Sequence, residues 1–92
     1  MFILERKHLE KRGAVFIAES EEMELWELPK KSGRIWRNIY MRLKKPAKSV
    51  QVKRAWWLGW NGERLSRCRD AKLLKAHRPE IYQWVEGVLK NA

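Results

Sequence analysis

Cysteine occurs once in these 92 residues, at Cys68, so no intrachain disulfide can staple the fold. A lone thiol suits a reducing compartment, and "MFILERKHLE" lacks the pattern of a signal peptide, so the expected setting is cytoplasmic. Long apolar runs are missing too. "AVFIA" and "AWWLGW" fall far short of the roughly 20 residues a membrane helix needs, and no membrane span is expected.

Metal-binding and nucleophilic chemistry are equally thin. His8, His77 and Cys68 are the only imidazole and thiolate groups, and their spacing fits no zinc site. Cys68 has one nearby candidate base along the chain, His77, and nothing to orient it. The five glycines are scattered, which excludes a glycine-rich phosphate loop. Asp70-Ala-Lys72 has the acid-x-Lys spacing of some nucleases, but one tripeptide carries little information. The expectation is a protein without cofactor and without enzymatic activity.

The most informative absence is of acid. Residues 31–62 contain no Asp or Glu. The net charge of +10 is therefore regional: residues 1–28 hold four basic and seven acidic side chains, residues 29–78 sixteen and two, residues 79–92 one and two. A merely solvated face mixes both signs. A one-sign stretch points to a polyanionic partner.

The length allows one small domain, 1–92, with a modest core. Residues 2–12 read as a strand or as a short helix stopped by Gly13. "AVFIAE" and "MELWEL" read as an antiparallel hairpin, ended by Pro29. The acidic run "ESEEMELWE" is read as solubilising an outer strand and protecting its edge, in preference to a partner-binding strand edge or an internal counter-charge to the basic face. In "RIWRNIYMRLKK", residues 34–45, a helical wheel gathers Ile35, Trp36, Ile39, Tyr40 and Leu43 on one side and the cations on the other, so a basic amphipathic helix is expected. Residues 50–60 read as a strand. "NG" at 61–62 predicts a two-residue turn that sets Trp60 opposite Glu63 and Leu58 opposite Leu65. A helix pair follows, "DAKLLKAH" and "PEIYQWVEGVLKN", the second opened by Pro79. The predicted class is α+β: a small antiparallel sheet, one basic amphipathic helix and a C-terminal helix pair.

Six tryptophans are many for so small a core. Alternation along 50–60 puts Trp56 and Trp60 on the core face and Trp57 on the other, beside Lys53 and, through the predicted turn, Arg64. The helix pair does not suit the major groove, because its second helix presents Glu80, Gln83 and Glu86 with only Lys90 to offset them. The leading expectation is non-enzymatic nucleic-acid binding, single strand or duplex. Arg34, Arg37, Arg42, Lys45, Lys53 and Arg64 would contact phosphates, and Trp57 would stack on a base. The rival is a small protein-interaction module, an inhibitor or adaptor of the kind encoded by phages and mobile elements, since Arg and Trp also anchor protein interfaces. A membrane-surface role would use the 34–45 helix.

Overall fold

A computed structural model describes residues 5–29, 35–44, 55–65 and 69–91. Four strands, β1 (Val15–Glu19), β2 (Met23–Leu28), β3 (Arg37–Leu43) and β4 (Ala55–Trp60), form an antiparallel sheet in sequence order. Helix α1 (Arg6–Lys11) precedes them, and α2 (Arg69–His77) and α3 (Pro79–Asn91) follow. The chain is an α+β fold with the C-terminal helix pair in place.

The sheet has a core on each face. Met23, Leu25, Ile39, Met41, Trp56, Leu58 and Trp60 alternate onto one face and pack against Ala71 and Leu74 of α2 and Ile81, Val85 and Leu89 of α3. On the other face Leu9 of α1 is buried with Trp26, Tyr40 and Ala55. A central strand covered on both sides need not alternate polar with apolar. That is why residues 37–43 form a strand and not the expected amphipathic helix. Ile39 and Tyr40 are both buried, on opposite faces, where β-branched and aromatic side chains pack well. With these residues in the sheet, the membrane-surface helix has no counterpart among the described residues.

The acids of β2 explain how arginines fit in such a strand. Glu24 and Glu27 lie on β2, the direct neighbour of β3, and pair with Arg42 and Arg37. Lys44 pairs with Glu19 of β1. Glu24 and Glu27 are thus counter-charge within the fold, on an inner strand, which corrects the outer-strand reading for these two, while Glu19 stands exposed on the outer strand β1.

Two turns decide local geometry. α1 ends in a Schellman motif: the Gly13 N–H donates to the Glu10 carbonyl and the Ala14 N–H to the Leu9 carbonyl, with Gly13 at φ +80°. A side chain there pays the left-handed penalty, so Gly13→Ala is expected to cost about 1–2 kcal/mol in urea unfolding. An unchanged midpoint would contradict this. At "NG" the turn forms in another way than expected. Gly62 has φ +99°, but among the described residues no non-glycine has positive φ, so Asn61 cannot complete a type I′ turn. The Asn61 side-chain oxygen instead accepts the Glu63 and Arg64 N–H groups, both at 2.9 Å, in an Asx-type turn. The loop is longer, Trp60 bridges to Leu65, and β4 finds its ladder on β3.

Candidate functional site

Trp57 stands on the α1 side of the sheet and is 47% exposed, unlike Trp56 and Trp60 in the core. Its strand neighbours on that face are the small Ala55 and Gly59, and Tyr40 lies opposite on β3. The Tyr40 ring meets the indole edge-on, with centroids 4.6 Å apart at 65°. That contact holds one side of the indole while nearly half of it stays open. The Trp57 backbone N–H donates to Asp70 Oδ2 at 2.8 Å. Asp70 therefore fastens the start of α2 to the outer edge of β4.

Arg69, next to that fastening, is exposed, and so are Lys72 and Lys75 along the same helix. Arg64 reaches out of the Asn61 loop. Among the described residues no ion pair joins any of these four to a carboxylate. Between the loop, α2 and α3 lies an open groove of about 450 Å³, with Arg64, Lys72 and Lys75 on its basic side and Tyr82, Gln83 and Glu86 from α3 facing them. The Lys75 ammonium sits 5.6 Å from the Tyr82 ring centroid. Burial holds the Tyr82 hydroxyl proton above its ordinary range; Glu86 adds to this and Arg64 opposes it.

Two expected phosphate ligands are otherwise engaged. Arg37 makes a bidentate pair with Glu27, Nε to Oε2 at 2.8 Å and the second nitrogen to Oε1 at 2.6 Å. That hydrogen-bonded pair holds the Arg37 proton more firmly than usual, against the opposing effect of burial. Arg42 donates at 2.6 Å to Glu24, whose residue is only 4% exposed. Burial pushes the Glu24 carboxyl up, but bonds from Arg42 and Trp26, with the charges of Arg42 and Arg6, outweigh it and hold the group below its ordinary value. Neither arginine projects freely to solvent as a helix would have placed it. Arg34, Lys45, Lys53 and Cys68 lie outside the described residues. Trp57 and Arg64 are both exposed but are not neighbours across a hairpin, because Arg64 belongs to the loop that lines the groove. Sequence reasoning missed the basic side of α2. Its signal was available in Arg69, Lys72 and Lys75, spaced three apart and so along one helical stripe.

Among the described residues no three His, Cys, Asp or Glu side chains come together to hold a metal ion, and no helix is long and apolar enough to cross a membrane. Comparison with protein-family models, curated proteins and solved structures finds no match to this chain.

Proposed function

We propose that the chain is a non-enzymatic nucleic-acid-binding protein that holds phosphates along Arg64, Arg69, Lys72 and Lys75 and stacks a base on Trp57. The observation that carries this reading is the row of exposed cations on α2 and the Asn61 loop, with no ion pair from that row to a carboxylate among the described residues, on a helix whose start Asp70 ties to the backbone of the exposed Trp57. Arg69 to Lys75 spans about 9 Å at 1.5 Å per helical residue. That length covers two or three phosphates of one strand. Arg34, Lys45 and Lys53 add charge from the acid-free stretch. Arg37 and Arg42 act as structure, through Glu27 and Glu24.

Stacking needs an unpaired base face, so Trp57→Ala is expected to weaken single-strand binding about tenfold and to leave duplex binding within about twofold. Fluorescence anisotropy of labelled single strand and duplex of one sequence measures both. Equal losses on the two ligands, or none, would remove Trp57 from the site.

One observation favours the protein-interaction reading: Val15 and Phe16, 64% and 38% exposed, stand on the outer strand β1. Capture from lysate with and without nuclease separates the two readings. Co-purifying nucleic acid supports the first, and a stoichiometric protein that survives nuclease supports the second.

A further inference from the structure

The groove between α2 and α3 is bipolar, and that sets what it can hold. Its α2 side and the loop bring three cations, Arg64, Lys72 and Lys75. Its α3 side brings an amide and a carboxylate, Gln83 and Glu86, beside the ring of Tyr82. A bare phosphate would use the cations and be repelled by Glu86. An acidic peptide would leave the ring and the acceptors idle. A nucleotide uses all three: phosphate for the cations, an aromatic base for the ring, and an exocyclic amino group for Glu86 and Gln83.

From this bipolar lining we infer that the groove seats one nucleotide of an unpaired strand, the successive phosphates on either side of it meeting Arg64, Lys72 and Lys75, its base on Tyr82 and its amino edge toward Gln83 and Glu86. The inference rests on the nucleic-acid reading above and goes beyond it, to a second stacking site and a base preference. Lys75 lies over the Tyr82 ring in the structure. An entering phosphate draws that ammonium away and opens the ring face to the base. Gln83 and Glu86 line the same groove as Tyr82 and offer the acceptors for an amino group, and a helix that carries this carboxylate is unsuited to a duplex groove but not to a splayed base. Cytosine, whose N4 donates, should therefore be preferred over thymine, which offers no amino group.

The test measures anisotropy of short labelled homocytosine and homothymine strands at low salt, with a duplex of mixed sequence alongside. Tyr82→Leu keeps an apolar side chain in place and is expected to weaken homocytosine binding about tenfold with the duplex unchanged, while Tyr82→Phe keeps the wild-type value. Homocytosine is expected to bind about fivefold tighter than homothymine, and Gln83→Ala with Glu86→Ala to abolish that difference. Cytidine monophosphate, added as competitor, separates the two sources of the same chemistry. Displacement of the strand only at far higher concentration assigns the groove to a strand, and displacement at similar concentration assigns it to the free nucleotide; either keeps the site. Circular dichroism establishes that each variant is folded. Strand binding that ignores Tyr82→Leu and the base identity overturns the groove site and leaves phosphate binding standing. Absence of binding to any polynucleotide overturns both. A polyglutamate peptide that binds as tightly as the strand overturns the nucleotide assignment.

Discussion

Arg42→Ala is expected to destabilise the fold by about 3–5 kcal/mol, a large part of the total stability of a domain this small. The variant strands Glu24, whose residue is 4% exposed and whose strongest partner is Arg42 at 2.6 Å. Arg6 also pairs with this carboxylate, at 3.8 Å, but from a side chain 56% exposed, where solvent screens it. The Trp26 N–H, donating at 3.1 Å, satisfies an oxygen but not a charge. Glu24→Gln added to Arg42→Met removes both charges and keeps an acceptor for Trp26, so the double variant should recover part of the loss. Urea unfolding of the three proteins measures this. A loss under about 1 kcal/mol for Arg42→Ala would mean that the pair is not the fastening described.

The same carboxylate sets the response to acid. Glu24 has its folded pKa held below its ordinary value. Its contribution is therefore fully present above the unfolded value of about 4.3 and is lost as pH falls through the folded value. Acid unfolding of the wild type should show this loss below about pH 4, and the double variant should lack that component.

The second large effect is on binding. Lys72→Glu with Lys75→Glu removes two of four proposed phosphate contacts and puts two anions in their place. Affinity for single strand and duplex should fall more than about tenfold, and alike for all sequences, because phosphate contacts position a ligand without reading it. With four contacts the log–log slope against salt should be about −3 on single strand and about −3.5 on duplex. The double reversal should bring the single-strand slope to about −1.5 or shallower. Both residues are exposed, so unfolding should stay close to wild type. Unchanged affinity would move the phosphate contacts off α2.

How much of this was legible in the sequence depended on which residues had their partners nearby. Pro79 and the Gly13 stop carry local signals that the structure follows; of the expected α3 stripe Ile81, Trp84, Val85 and Val88, Ile81 and Val85 are buried, Trp84 and Val88 are partly buried, and Leu89, expected at its flank, is buried. Trp56, Trp57 and Trp60 sorted correctly by strand alternation alone. The strand β3 was misread because its evidence is tertiary. Arg37 and Arg42 spoil the pattern of a buried strand until Glu27 and Glu24 are known to lie beside them, and no local rule pairs residues 10 and 18 positions apart. The Asn61 turn failed for a related reason: a side-chain acceptor competed with the backbone geometry that "NG" usually signals. The candidate site shifted accordingly, from arginines that hold the sheet together to cations on α2 that make no ion pair among the described residues.

Titration of folded protein with labelled single strand and duplex, at about 50 and about 200 mM salt, bears most directly on whether this surface binds polynucleotide. Both ligands should bind at the lower salt, and single-strand affinity should drop about fiftyfold at the higher, as the release of counterions from about four phosphates requires. No binding at low salt, or an affinity indifferent to salt, would contradict the proposed function.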